Sequence, residues 1–221
     1  MKNPVRWAAA AFAALLVIAL AISAAALRRL PPNPGAAPLQ GLPWQVEALA
    51  DGSSRVMGLH LGTDTLAQVR LRTGDGLQVA LVARLGEVGV LEALAEPFNA
   101  AVIAGRLVLS FEVPAATLAR WREGAQGSAP MEDGVRRFTL RPADAAEAER
   151  ATLSGLSFVP GARLSEDDIR LRFGPPAARR ALEGGAVLLR YPQIGVAATV
   201  APGRRGVIQY VAPREAARLG G

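Results

Sequence analysis

The single histidine, His60, stands in "GLHLG", and any Ser-His-Asp proton relay in this chain would have to be built on it. Alternation with Leu59 and Leu61 along a strand turns His60 away from the apolar side, toward solvent or a polar neighbour. No serine sits in the glycine pattern of a nucleophile elbow. The chain contains no cysteine, which excludes thiolate nucleophiles, disulfides and thiolate metal sites. One histidine without cysteine is too few ligands for zinc. The densest acidic group, Glu166, Asp167 and Asp168, consists of adjacent residues, which on a helix diverge by about 100° per step and cannot converge on one bond. Such a group suits a helix start, where the macrodipole favours negative charge. Neither "EDD" nor "MEDG" supplies the alternating oxygen ligands around a glycine that calcium requires. Lys2 is the only lysine, so a phosphate-cradling loop with its lysine cannot form elsewhere. No catalytic set, metal or cofactor is expected from these residues.

What remains is arginine. Arg204 and Arg205 crown a predicted hairpin turn at residues 202–206, and Arg170, Arg172, Arg179 and Arg180 surround the turn Gly174-Pro175-Pro176. Tyr191 lies in "RYPQIG" and belongs either to a contact patch or to the core. Guanidinium groups in these places fit anions, lipid headgroups or a partner's carboxylates, through planar two-pronged hydrogen bonds. A solvated surface balanced by acids is the preferred reading of the same groups. The net charge is +6, but Lys2, Arg6, Arg28 and Arg29 precede residue 41, leaving 21 arginines against 19 acids, a balance of +2. With 5% aromatic residues and no interleaving of basic and aromatic groups, nucleic-acid binding is not expected.

The elements that would position these groups begin with an apolar run. Residues 7–26, "WAAAAFAALLVIALAISAAA", hold no charge, Pro or Gly. In a helix they would span roughly 30 Å, the depth of a bilayer's hydrocarbon. The alternative is a cleaved secretory signal ending at Ser23-Ala24-Ala25-Ala26, but the apolar region of such signals is usually about 7–15 residues long, which favours an uncleaved anchor. Positive charges flank the run almost equally, and the short N-terminal side is placed inside. Residues 28–41 carry Pro31, Pro32, Pro34 and Pro38 and read as an extended tether.

Beyond the tether, "WQVEALADGSSRVMGLHL" reads as a hairpin around Asp51-Gly52. "VRLRTG" at residues 69–74 and "IRLRFG" at residues 169–174 are one hundred positions apart. Thr65 with Gln68, and Ser165 with Asp168, form capping-box arrangements before them, and Gly74 and Gly174 stop the helices. "LQVALVA", "GVLEALA" and "RLVLSFEV" follow the first as strands; "AVLLRYP", "GVAATVA" and "GVIQYVAP" follow the second. Pro114 opens a helix with Leu118 and Trp121 on one face and Gly124 at its end. Residues 124–134 read as a loop, "VRRFTL" as a strand and "PADAAEAERATL" as a helix. A duplicated unit accounts for the pattern.

"LSEDDIRLRFGPPAARR" and the three strands after it resemble the BamE/SmpA/OmlA outer-membrane lipoprotein family, whose shape is related to the tandem modules of the beta-lactamase-inhibitor-protein type. The resemblance covers residues 161–212 and, more faintly, 58–113. It implies a small α+β module that binds other envelope proteins and carries no catalytic residues. The chain departs from the family in lacking the cysteine that carries its lipid.

The expected class is α+β: one N-terminal transmembrane helix plus two related modules, each a short helix packed on an antiparallel sheet. The boundaries are 1–27 for the signal anchor, 28–41 for the tether, 42–124 for the first module, 125–153 for a connecting segment and 154–221 for the second module. The expected role is a non-catalytic periplasmic scaffold or assembly accessory, held in a bacterial inner membrane by residues 7–26 and binding another cell-envelope protein. A binding module for an anionic lipid or cell-wall ligand is the second reading, and an enzyme of unrecognised type relying on His60 the third. Neither nucleic acid nor a small-molecule cofactor is an expected partner.

Overall fold

A computed structural model describes residues 39–74 and 76–219, which fall in one compact unit. The fold is α+β. Among the described residues no helix is long and apolar enough to cross a membrane; the apolar run 7–26 and the prolines of the tether lie outside them.

Three short strands come first: β1 (Glu47–Ala48), β2 (Ser54–Val56) and β3 (Leu59–Leu61), paired in that order. The β1–β2 connection is the hairpin expected around Asp51-Gly52. Met57 and Gly58 join β2 to β3 with φ of 51° and 77°, the backbone that a two-residue hairpin turn demands.

Helix α1 (Leu66–Thr73) follows, then β4 (Gln78–Arg84), β5 (Val90–Ala100), β6 (Ile103–Glu112), α2 (Ala115–Glu123), β7 (Gly127–Pro130), β8 (Val135–Thr139), α3 (Pro142–Ala148) and β9 (Thr152–Pro160). The last part is α4 (Glu166–Phe173), β10 (Ala178–Ala181), β11 (Val187–Tyr191), β12 (Val196–Val200) and β13 (Val207–Val211). Strands β4 to β13 form one antiparallel sheet in the order β10-β11-β12-β13-β9-β6-β5-β4-β8-β7. At its middle β6 pairs with β9, from Gly105 opposite Pro160 to Glu112 opposite Thr152.

Two expectations are corrected. Residues 124–134 are not all loop, because Gly127–Pro130 pairs with β8 as the outermost strand. The helix expected through Leu153 ends at Ala148, because Thr152 and Leu153 already pair with β6 as the start of the central strand. β8 joins β4, so the segment 125–153 completes one half of the sheet.

The two spaced stretches have matching local geometry. Thr65 and Gln68, and Ser165 and Asp168, each form a complete capping box. Gly74 and Gly174 end the helices with φ of 85° and 83°, each donating its N–H to the carbonyl of an arginine four residues earlier. Val69 and Ile169 are buried, while Leu71 and Leu171 are 86% and 84% exposed. A third helix adds to the series: Gly124 ends α2 and also donates to the arginine four residues before it, Arg120. Arg-x-Arg-x-Gly thus recurs at 70–74, 120–124 and 170–174, each time between a helix and a hairpin.

The core lies on one face of the sheet. Leu91, Leu107, Leu109, Leu156, Phe158, Ile208 and Tyr210 project there and pack with Leu66 and Val69 of α1, Trp121 of α2, Ile169 of α4 and the apolar residues of β2 and β3. On the opposite face, Leu219 packs on Leu188, Ala197 and Val211 as a second, smaller cluster among the described residues.

Candidate functional site

Antiparallel pairing gathers three connections at one end of the sheet. Ala101 and Val102 turn β5 into β6, residues 161–165 lead from β9 to α4, and residues 201–206 turn β12 into β13. Gly161 N–H donates to the Ala104 carbonyl at 2.8 Å, which fixes the first two against each other. Val102 is 71% exposed. It lines an apolar cleft of about 390 Å³ together with Pro43, Trp44, Ile103, Leu164 and Arg172. A second cleft, of about 440 Å³, shares Leu164 and runs between Arg163, the start of α4 and the turn bearing Arg204.

The arginines singled out in the sequence separate into two kinds. Arg172 is engaged: it donates to the Asp168 carbonyl at 2.8 Å and carboxylate at 3.2 Å, and its guanidinium lies 4.7 Å from the Trp44 ring centroid. Arg179 holds Glu166 with two hydrogen bonds of 2.9 and 3.0 Å. This pairing, led by the hydrogen bond, keeps Glu166 below the ordinary carboxylate range. Arg180 lies beside Arg179 on the exposed edge strand β10. Arg170 is exposed near Glu166. Arg204 and Arg205 are exposed on the hairpin turn, and their guanidiniums make no hydrogen bond or ion pair among the described residues. Tyr191 belongs to the core: it is 4% exposed, stacks against Phe173 at 5.5 Å and donates its hydroxyl to the Gly174 carbonyl at 3.2 Å.

Sequence reasoning missed Arg163. It is exposed, makes no hydrogen bond or ion pair among the described residues, and lines the same cleft as Arg204. Forty-one positions separate the two, and only the adjacency of the β9–α4 and β12–β13 connections brings them together.

The acids at the start of α4 are structural. Asp168 is held at about 2, first by the Ser165 hydroxyl and amide and then by Arg172. His60 faces a polar neighbour, as its alternation with Leu59 and Leu61 requires. Its Nε2 is 2.8 Å from Ser53 Oγ, whose proton is donated to Asp51 Oδ1 at 2.5 Å. With that proton committed, Ser53 accepts from the histidine rather than being deprotonated by it, the reverse of nucleophile activation. Ser53 is also fully buried. Asp64, buried nearby, is pushed up by desolvation but held below the usual range by Arg72 and the His60 amide. Among the described residues no cluster of His, Asp and Glu has the arrangement to hold a metal ion.

No protein-family model, curated protein or solved structure matches this chain.

Proposed function

We propose that the chain is a non-catalytic, membrane-anchored scaffold or assembly accessory of the bacterial cell envelope, single-pass in the inner membrane with its body in the periplasm. Residues 7–26 hold it in the bilayer, the proline-rich tether stands the body off, and the body binds another envelope protein. Two related modules built around α1 and α4, similar to the BamE/SmpA/OmlA module, share the sheet through β6 and β9.

The observation that carries this reading is the open edge at β10. Among the described residues it pairs only with β11, so one side of its backbone is unpaired there. Ala178 and Ala181 bracket Arg179 and Arg180, and all four are exposed. Small residues admit a partner's backbone and the arginines favour one bearing carboxylates, the requirements of strand addition. A photo-crosslinker at Ala178 or Ala181 of the full-length chain in membranes should capture one envelope protein, and one at Leu85 should not. Capture no greater than the unirradiated background at both β10 positions would remove this reading.

The unpaired state of Arg204 and Arg205 supports the second reading, an anionic lipid or cell-wall ligand. Charge reversal at both should then abolish binding to liposomes or isolated cell wall, and unchanged binding would eliminate it.

A further inference from the structure

We infer that the sheet end formed by the β5–β6 turn, the β9–α4 connection and the β12–β13 turn is the surface that lies against an anionic phospholipid bilayer. This inference rests on the membrane-anchored reading above. Arg163, Arg204 and Arg205 are exposed there, and none of their guanidiniums has a hydrogen bond or ion pair among the described residues. Beside them Val102 stands at the tip of the β5–β6 turn, 71% exposed, over a cleft lined by Trp44 and Ile103. Unneutralised guanidiniums around an apolar prong match a bilayer surface, where phosphates lie over acyl chains.

The rest of the charge has the right polarity. At this end the acids without an ion pair among the described residues are Asp167 and Glu183. The opposite end, around the β4–β5 turn, carries Glu87, Glu112, Glu132 and Asp133 beside Arg84, Arg136 and Arg137, none with an ion pair among the described residues, so four carboxylates there more than offset three guanidiniums. That end also has an exposed apolar residue, Leu85, at 97%. Apolar exposure alone therefore does not select the docking end; the balance of unpaired charge, positive here and negative there, does. Pro43 and Trp44 line the same cleft as Val102.

Because the chain has no cysteine, V102C and L85C each create a unique site for an environment-sensitive fluorophore. The full-length chain is reconstituted in vesicles of phosphatidylcholine alone or of phosphatidylcholine with phosphatidylglycerol. The V102C label should shift to the blue in the anionic vesicles more than in the neutral ones, and the L85C label should respond in neither. Each arginine near an anionic surface favours docking by about fivefold, so three favour it by about a hundredfold. Adding R163E, R204E and R205E together should return the V102C signal to its value in neutral vesicles, with the circular dichroism unchanged. The inference is overturned if the V102C label is no more responsive than the L85C label, if the triple reversal leaves its response intact, or if soluble inorganic phosphate alone reproduces the shift. Alkaline washing separates this from the anchor. A chain released by the wash whose V102C label still responds to added anionic vesicles has lost its anchored reading and kept its docking surface.

Discussion

Phe158 sits on β9 where the two halves of the sheet meet, and removing its ring tests whether the body unfolds as one piece. The side chain is fully buried, lies between Leu107 of β6 and Ile208 of β13 in register, and meets the Phe98 ring edge-on with centroids 6.3 Å apart. Truncating a buried phenylalanine costs about 3–5 kcal/mol, of which roughly 0.5–1.5 kcal/mol is the aromatic pair. The neighbouring strand has little room to close over the cavity: a Cβ on Gly105 would come within 2.5 Å of the Val159 carbonyl oxygen and 2.7 Å of the Phe158 ring. A loss near 4 kcal/mol in a body of this size lowers Tm by roughly 8–16 °C. The assay is denaturant unfolding of the full-length chain in detergent micelles, with Trp7 replaced and either Trp44 or Trp121 retained as the sole tryptophan. Trp121 belongs to α2 and reports the half containing β4 to β8; Trp44 packs with Arg172 of α4 and reports the other half. Phe158→Ala should move both transitions together and by the same amount. A shift under about 1.5 kcal/mol, or separation of the two probes, would refute the claim that the β6–β9 pairing makes one cooperative unit.

The matched caps make a paired prediction: Thr65→Ala and Ser165→Ala should each cost about 1 kcal/mol, measured by denaturant unfolding, and the two costs should add because the helices share no cap residue. Asp168, lowered in the folded state, contributes stability that is complete above its unfolded value of 3.8 and is lost as pH falls toward about 2. Asp168→Asn should therefore flatten the stability profile in that window, and an unaltered profile would contradict the cap assignment. Glu92, on the thinly covered face of the sheet, is raised by desolvation, so its ionised form opposes folding and its contribution worsens as pH rises through the folded value. Glu92→Gln should stabilise the protein at neutral pH by about 0.5 kcal/mol or more, with the gain vanishing in acid. The buried Ser54 hydroxyl has no partner among the described residues; Ser54→Ala should be neutral or stabilising by about 1 kcal/mol, read as a change in denaturation midpoint.

The legible elements were those whose ends are chemically marked or whose side chains alternate. Thr65, Ser165, Gly74 and Gly174 act on backbone groups within a few residues of themselves, so their meaning is local and readable. β11, β12 and β13 are buried on the core face, and burial leaves a pattern. β7 and β10 are exposed at every position; their strand character is imposed by hydrogen bonds from β8 and β11, and nothing in "GSAP" or "ARRA" records those partners. β9 was hidden for another reason: Ser154, Gly155 and Ser157 soften its alternation, because its outer face is not part of the main core. The third Arg-x-Arg-x-Gly, at Arg120 to Gly124, was present in the letters but masked by Trp121, which is buried where Leu71 and Leu171 are exposed. At the site, the fate of Arg172 depended on Trp44 and that of Arg163 on a neighbouring turn, both consequences of tertiary pairing.

The edges of the sheet bear on how such a chain avoids pairing with itself. A ten-stranded antiparallel sheet with two edges free among the described residues invites end-to-end association. β7 ends in Pro130, which has no N–H to offer, and is only four residues long. β10 is equally short and is protected by charge instead. Two copies of β10 laid side by side would bring four guanidiniums together, those of Arg179 each carrying its carboxylate partner Glu166. Self-pairing there is penalised while a strand carrying Asp or Glu is not, so the same arginines that block aggregation confer selectivity. Replacing Arg179 and Arg180 with Thr should for this reason both weaken capture of an acidic partner at Ala178 and raise the apparent mass of the purified chain in solution. A variant that stays monomeric and still captures its partner would show that neither role belongs to these residues.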